Sequence, residues 1–287
     1  MKTLSIEDRY FAFSAEIHAE GSNTAPSYVK ALKKIDTALH LHSTLLSPDE
    51  SVWDIRDVGR LAALYEFIKK EQKKDDGGIF CDEPAQSYWR KGFCSAAVKD
   101  FSQFLTLTER QGEMFAQFEN TDDAQQLAQN LEKVKIAKNP LLIPDNIDLN
   151  TLEGKNVLRE VQSRQNQYIF RKFILHIYND QCCLTGLPIR EVLRASHISA
   201  WATDIKNRMN LSNGLCLSAT YDAAFDRHLI SFDEDYRLIF APALKEYYTN
   251  NAFKEQFQKL HGKQISMPTK FLPSQELLAK HRDRLVE

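Results

Sequence analysis

Apolar residues recur at helical spacing through the N-terminal part of the chain. In the segment SNTAPSYVKALKKIDTALHLH they lie three and four positions apart, as one face of a helix requires, at Tyr28, Leu32, Ile35 and Leu39. The same spacing predicts a second helix from Val58 to Glu71, with Asp54 or Asp57 as its N-cap. A third helix is predicted from Ser95 to Leu107. Residues 1–115 are therefore expected to form an all-helical domain.

The chain becomes more polar between Thr108 and Asn150, and Pro140 and Pro144 interrupt the second half of this stretch. One piece, QFENTDDAQQLAQNLEKVK, retains the spacing of an amphipathic helix. No internal repeat is visible. We therefore predict a helical domain at 1–115, a linker region at 116–155 and a second domain at 156–287.

The pattern changes in the second domain, where short segments follow a long basic helix predicted from Leu158 to Tyr178. After a turn at Gly186 and Pro188, the run EVLRASHISAW has the alternation of a strand and carries His197 near its end. A loop then leads to the apolar stretch LCLS, which suits a second strand, and TYDAAFDRH begins a helix. The order strand, loop, strand, helix predicts an α+β domain, so we expect an α+β protein with an all-helical N-terminal domain.

Composition supports two globular domains. A chain of 287 residues exceeds the usual size of one domain, and 43% hydrophobic residues suffice for a core in each of two. The five cysteines form no CxxC pair, which argues against a disulfide framework and a zinc knuckle and predicts reduced thiols. No stretch approaches the ~20 apolar residues of a membrane span, and acids interrupt the start where a secretory signal needs an apolar run. We expect a cytoplasmic protein with no membrane partner.

The overall charge does not indicate a nucleic-acid binder, since the formal net charge is -2 and the pI is near 6.5. The stretch from Lys155 to Arg208 differs, because nine basic residues there face four acidic ones, a surplus of five positive charges. Ordinary surface charge would explain a local surplus of this size equally well. A polyanion is the partner that the surplus would fit.

Three side chains of the second domain have the chemistry for metal-assisted hydrolysis. His197 has an intrinsic pKa near neutrality, so its imidazole is expected to accept a proton from water. Asp222 and Asp226 lie four residues apart on one face of the predicted helix and offer hard oxygen ligands. Such a pair favours Mg²⁺ or Mn²⁺, and other transition metals remain open.

Several motifs of this domain occur together in a fixed order. They are Cys183-Leu184-Thr185-Gly186, Ala195-Ser196-His197-Ile198 with Trp201, Arg208-Met209-Asn210, Asn213-Gly214-Leu215 with Leu217, and Asp222 through Arg227. In these motifs the chain resembles the HNH endonucleases, also called ββα-metal nucleases, and within them a branch similar to restriction endonucleases. The resemblance runs from about Arg159 to the C-terminus, close to half of the chain.

The resemblance implies a ββα-metal fold and a metal-dependent endonuclease that hydrolyses phosphodiester bonds in DNA. It implies that His197 is the general base and that Asn213 and Asp222 belong to the catalytic set. Asn213 matches the family's middle asparagine, which would bond the backbone of the loop and hold the strand of the base in position. The metal ligands implied are Asp222, Asp226 and His228.

Departures from the family pattern leave the metal ligands open. Ser196 stands where many members have an acid or histidine before the base, and Asp222 and Asp226 stand at helix positions that histidine often fills. His228 is a further candidate ligand and stands where related sequences often have glycine. Asp226 could instead pair with Arg208. His176, His261 and His281 are expected to be structural or surface residues.

The partner implied by the resemblance is double-stranded DNA, contacted by the basic residues Arg171, Lys172, Arg194 and Arg208. A homodimer would supply one site for each strand. A ββα unit is too small to read much sequence, so the helical domain is expected to serve target recognition or assembly. We expect a restriction or phage-defence enzyme. A catalytically inactive DNA-binding or regulatory protein and a nonspecific toxin-like nuclease are the alternatives.

Overall fold

The computed structural model describes residues 4–18, 23–84, 89–133, 139, 141 and 151–287. The part of the predicted linker that includes Pro140 and Pro144 lies outside the described residues. The chain divides into two compact units, called here the N-terminal unit and the C-terminal unit. The N-terminal unit comprises Met1–Gly112 and Ile136–Gln162, and the C-terminal unit comprises Glu113–Lys135 and Ser163–Glu287. The domain boundaries at 116 and 155 stay a prediction.

The described part of the N-terminal unit is built from helices. They are α1 (Ile6–Ile17), α2 (Thr24–His42), α3 (Val58–Glu71), the portion of α4 (Phe93–Glu119) that ends at Gly112, and the start of a later helix (Leu152–Ile177) as far as Gln162. The Ser5 hydroxyl accepts the Asp8 N–H at 3.1 Å at the start of α1, and the Asp57 carboxylate accepts the Arg60 N–H at 2.7 Å at the start of α3. Asp57 is therefore the N-cap. The bounds of α3 agree with the sequence prediction.

Helix α4 is twelve residues longer at its C-terminal end than the predicted helix, which ended at Leu107. The polar stretch TERQGEMFAQFE still places an apolar residue on one face every three or four positions, and Met114 and Phe118 are buried there. Gly112 lies within the helix, with no atom within 4 Å of the position that a Cβ would occupy. The polarity of the stretch therefore does not end the helix.

The C-terminal unit combines helices with two small antiparallel sheets. Its helices are α5 (Ala124–Lys133), α6 (Leu152–Ile177, from Ser163 onward), α7 (Ala219–Asp226), α8 (Asn251–Gln256) and α9 (Gln275–Arg282). Its strands are β1 (Leu193–His197), β2 (Gly214–Ser218), β3 (Ile230–Phe232) and β4 (Leu238–Phe240). Strand β1 pairs with β2, and β3 pairs with β4. The predicted α+β class, with helices first and small sheets in the C-terminal region, is confirmed.

The pairing of β1 with β2 places His197 opposite Gly214. A Cβ on Gly214 would overlap the side chain of Ile174 and lie 2.8 Å from Cζ of Phe170, both on α6. Helix α6 therefore packs directly against the backbone of β2 at this point, because the glycine has no side chain. Helix α7 follows β2 without a connecting loop and packs on both strands. The order strand, loop, strand, helix is as predicted.

Among the described helices, none has both the length and the apolar composition needed to cross a membrane.

Candidate active site

A cleft of about 640 Å³ lies beside β1 in the C-terminal unit. Residues from α6, β1, α7 and α9 and from the segments that follow them line it. They include Phe170, Arg171, Arg194, Ser196, His197, Trp201, Asp222, Asp226, His228, His281 and Arg284. The cleft thus brings together six of the site residues predicted from sequence. The other three predicted site residues are Lys172, Arg208 and Asn213, which belong to the same unit but do not line the cleft.

His197 is the last residue of β1, and its imidazole is enclosed by aromatic rings. It stacks on Phe170 with ring centroids 3.9 Å apart and planes 16° from parallel, and Trp201 meets it edge-on at 5.2 Å. Its Nε2 lies 3.1 Å from the carbonyl oxygen of Arg208. A carbonyl can only accept a hydrogen bond, so Nε2 carries the hydrogen and Nδ1 keeps its lone pair.

Burial lowers the pKa of His197 to about 4, and the hydrogen bond to the Arg208 carbonyl opposes this shift. The value lies well below the intrinsic pKa considered from the sequence, because the rings of Phe170 and Trp201 exclude water that would solvate the imidazolium. His197 is therefore neutral at physiological pH. In this form it can accept a proton.

Asn213 holds the loop between β1 and β2. Its side chain is fully buried; Oδ1 accepts the Ser199 N–H at 2.7 Å, and Nδ2 donates to the carbonyl oxygens of Ser199 at 3.1 Å and Asn207 at 3.0 Å. The Asn213 carbonyl also accepts the N–H of Ile198, the residue after the histidine. These bonds join the two ends of the loop that carries Arg208. A contribution of Asn213 to catalysis stays a prediction.

Ser196 contacts the first aspartate of α7. It is buried in β1, and its hydroxyl donates a hydrogen bond of 2.5 Å to Oδ1 of Asp222. The serine thus fixes one carboxylate oxygen of Asp222, although it stands where many HNH sequences have a metal ligand. The other oxygen, Oδ2, is the candidate ligand atom of this carboxylate.

Asp226 lies one turn after Asp222, at the end of α7. Partial burial and the negative charge of Asp222 raise the pKa of Asp226, and Arg227 opposes the shift. Arg208, the alternative partner considered for Asp226, is engaged at Trp201. Its Nε donates to the Trp201 carbonyl at 2.7 Å, and its guanidinium lies 5.4 Å from the centroid of the Trp201 ring.

His228 and His281 form a second polar group in the cleft. Nδ1 of His228 lies 3.1 Å from Nε2 of His281, which also lies 3.1 Å from the Phe225 carbonyl oxygen. The backbone of His228 is left-handed, with φ of +53°. Burial lowers the pKa of His281 to about 4 and also lowers that of His228. Both rings are therefore neutral near pH 7.

The donors in the cleft fit a hard divalent cation. No three of the ligand atoms of His197, Asp222, Asp226 and His228, all of them described residues, lie within 4.8 Å of one another. Mg²⁺ is usually held by one or two carboxylates together with water and substrate phosphates, and the pair on α7 is compatible with such a site. The repulsion that raises the pKa of Asp226 is one that a bound cation would relieve.

Two of the predicted DNA-contacting residues line the cleft. Arg171 donates to the carbonyl oxygens of Leu193 at 2.7 Å and Arg190 at 3.1 Å, and Arg194 donates to that of Leu193 at 3.0 Å. These bonds hold both guanidinium groups beside the start of β1. Lys172 lies 5.1 Å from the centroid of the Tyr168 ring.

Sequence reasoning missed three residues of the cleft. Phe170 lies in the predicted basic helix without a role of its own, His281 is expected to be structural or at the surface, and Arg284 has no predicted role. His281 is buried, stacks on Phe225 at 3.8 Å and lines the cleft more than fifty positions after His228. No periodic pattern in the sequence relates His281 to His228, because the two residues lie far apart in the chain.

The model of one protein family, described as HNH endonuclease, matches residues 182–233. The matched segment runs from the turn before β1 to the residue after β3 and contains His197, Asn213, Asp222, Asp226 and His228. No curated protein matches the chain. The similarity to the HNH family inferred from the motifs is confirmed.

Proposed function

We propose that this chain, whose residues 182–233 form an HNH endonuclease segment, is a metal-dependent enzyme that hydrolyses phosphodiester bonds in double-stranded DNA. An HNH segment indicates a nuclease. The observation that carries the finer proposal is the placement of a neutral His197 in the same cleft as Asp222 and Asp226.

His197 acts as the general base. Its Nε2–H stays on the Arg208 carbonyl, so Nδ1 is the atom that accepts the proton of the attacking water. The new P–O bond forms to that water oxygen as the bond to the 3′ oxygen breaks. Stacking on Phe170 and the bond to Arg208 fix the ring plane before substrate arrives, which reduces the reorganisation needed for reaction.

Asp222 and Asp226 would hold the cation, with His228 as a further candidate ligand. When bound, a divalent cation supplies charge neutralisation for the phosphate and for the departing oxygen. Ser196 orients the Asp222 carboxylate through its hydroxyl. Mg²⁺ or Mn²⁺ suits the two carboxylates better than a softer ion does.

Arg171 and Arg194 supply positive charge at the same cleft, and Lys172 and Arg208 extend it along α6 and the loop. Phosphate contacts of this kind position the duplex but carry no base information. The helical N-terminal unit is therefore the proposed source of target recognition. We assign the protein a restriction or phage-defence role in the cytoplasm, acting as a homodimer where both strands are cut.

A second candidate is an inactive HNH protein that binds DNA without cutting it. One observation that favours this candidate is Ser196, which occupies a position where many HNH sequences have a metal ligand. Another is that no three ligand atoms of the described cleft residues converge on one point. The two candidates differ in one observable property, since a pure binder shifts DNA in a gel and leaves its backbone intact.

The test is cleavage of supercoiled plasmid DNA, methylated and unmethylated, with Mg²⁺ or Mn²⁺ and with EDTA. We expect metal-dependent nicking or cutting, and a loss of about 100-fold or more for His197→Ala, as removal of a general base typically gives. His261→Ala, at an exposed histidine of the same unit, is the matched control. Undiminished cleavage by a folded His197→Ala protein would reject the mechanism, and a band shift without cleavage would establish the second candidate.

A further inference from the structure

Three side chains of the N-terminal unit converge at the C-terminal end of α2. His42 is the last residue of α2, and Cys81 and Asp82 follow the short 3-10 turn Gly78–Phe80. Nε2 of His42 lies 2.8 Å from Oδ2 of Asp82 and 3.9 Å from Sγ of Cys81. All three potential ligand atoms lie within 4.8 Å of one another.

The geometry differs from that of a nucleophilic cysteine with a histidine base. In such a catalytic arrangement the thiol and the carboxylate contact different ring nitrogens. The nitrogen beside the thiol accepts the thiol proton, and the carboxylate orients the ring through the other nitrogen. Here the thiol and the carboxylate both approach Nε2 of His42. Three donors that converge on one point are the arrangement that a shared cation requires.

The backbone holds these donors in place. Gly77 has a left-handed φ of +90°, and a Cβ there would lie 3.0 Å from the Cα of Cys81, so the turn closes tightly on the cysteine. The Cys81 N–H donates to the Gly78 carbonyl at 3.2 Å. On the other side of the trio, Glu83 forms an ion pair with Lys34 of α2. The turn is therefore closed on itself at Cys81, and the ion pair connects it to α2 beside the cluster.

Cys81 is also the one cysteine of the five that is exposed, and the other four are buried. A thiol at the surface, beside an imidazole and a carboxylate, is open to an ion from solvent. This cluster contains no CxxC pair, which is why the sequence patterns did not indicate it.

We propose that His42, Cys81 and Asp82 bind one divalent cation of intermediate softness, of the Zn²⁺ and Co²⁺ class, with water completing the coordination. Sulfur, nitrogen and oxygen donors together favour this class over Mg²⁺. Zn²⁺ lies about 2.3 Å from sulfur and about 2.0 Å from nitrogen, so ligand atoms on one tetrahedral ion lie roughly 3.3 to 3.6 Å apart. The observed 2.8 and 3.9 Å lie on either side of this range.

Binding forms three coordinate bonds to the protein and releases one proton. The Cys81 thiol releases its proton to solvent as sulfur binds the ion, while the neutral imidazole and the ionised carboxylate donate lone pairs. The bound ion then connects the end of α2 to the turn at residue 81, across 38 intervening residues. A cross-link of this kind stabilises the folded protein, because the unfolded chain does not present the assembled site.

The test is titration of the intact, reduced protein with Co²⁺, read by the charge-transfer absorption that a thiolate gives when it binds cobalt. No cysteine lines the nuclease cleft among the residues described there, so this band reports the cluster and not the nuclease metal. We expect the band to saturate at one Co²⁺ per chain and to disappear when excess Zn²⁺ is added. Absence of the band at excess Co²⁺ would overturn the proposal.

Variants assign the band to the three residues. Cys81→Ser is expected to abolish the band, and His42→Gln is expected to weaken Co²⁺ binding at least tenfold. His40→Gln is the control, because His40 lies in the same last turn of α2, and this variant should leave the band unchanged. An equal band in Cys81→Ser would overturn the assignment. In a protein that carries Asp222→Ala and Asp226→Ala, and so lacks the proposed nuclease ligands, Zn²⁺ should still raise the melting temperature, and adding Cys81→Ser should abolish that rise, so the result does not depend on the nuclease site.

Discussion

The imidazole of His197 lies almost flat on the ring of Phe170, with centroids 3.9 Å apart. The contact depends on Gly214, which faces His197 across the strand pair and lets Phe170 approach the backbone of β2. One aromatic residue of α6 therefore sets both the orientation of the base and its surroundings. The pKa of about 4 follows from this enclosure.

Phe170→Leu is expected to change the pH dependence of cleavage. A smaller, flexible side chain admits water to the His197 imidazole and moves its pKa upward from about 4 towards the ordinary 6.5. The base works only when neutral, so the rate of the variant should fall as pH drops from 7 to 5, where that of the wild type stays level. The measurement is kcat against pH at saturating metal.

Phe232→Leu is the control for this prediction, because Phe232 is buried in the same unit and packs on Phe225 instead of the histidine. Its profile should match that of the wild type. An unchanged profile in Phe170→Leu would mean that the aromatic ring does not set the pKa of the base.

Asn213→Ala is expected to lower both stability and rate. The change leaves three part-buried backbone groups of Ser199 and Asn207 without their side-chain partner, which destabilises the protein by about 1–3 kcal/mol. The loop then holds the Arg208 carbonyl less firmly against His197, so kcat should fall by at least about tenfold. Urea denaturation and single-turnover cleavage measure the two effects. Full activity in the folded fraction would show that Asn213 serves stability alone.

Ser196→Ala is expected to raise the metal concentration needed for half-maximal cleavage by about 10- to 100-fold, the usual effect of losing a group that orients a ligand. The reason is the loss of the hydroxyl that fixes Oδ1 of Asp222. Titration of Mg²⁺ against the initial rate measures it. Thr220→Ala, at an exposed position of α7, should leave the requirement unchanged. An identical requirement in both variants would argue against the serine as an orienting group.

Asp226→Asn is expected to raise the melting temperature of the metal-free protein slightly at neutral pH. The folded state raises the pKa of this carboxyl, so its contribution to stability is present at low pH and is lost as pH rises through the raised pKa. Removing the charge should recover less than about 1 kcal/mol, because the group is only partly buried and solvent screens its charge.

The same variant should show a smaller metal-induced rise in melting temperature than the wild type, since one candidate ligand is gone. Thermal unfolding with and without Mn²⁺ measures both shifts. A metal-induced rise equal to that of the wild type would remove Asp226 from the ligand set.

The sequence was sufficient to predict the local elements around the site. Alternation placed His197 at the end of a strand, and the i to i+4 spacing placed Asp222 and Asp226 on one face of α7, as the structure has them. Helix α3 was predicted with its observed bounds because its N-cap and its apolar face agree. These features depend on periods of two and 3.6 residues, which a single sequence displays.

Contacts between distant segments could not be predicted in this way. Ser196 meets Asp222 across 26 positions and His228 meets His281 across 53, and the chain displays no period that connects them. The lowered pKa of His197 likewise arises from rings on other segments. Helix α4 was predicted too short because polarity was taken for a boundary, although Phe118 keeps the apolar face.

The left-handed backbone at His228 reduces the thermal stability of the folded protein at a position whose side chain lines the cleft. Glycine adopts a φ of +53° freely, whereas a β-carbon in that conformation costs roughly 1 kcal/mol. A library varied at this codon and selected for heat resistance should therefore enrich glycine. One selected for DNA cleavage should retain the imidazole if its contact with His281 serves cutting, so the two selections together would reveal the role of that ring.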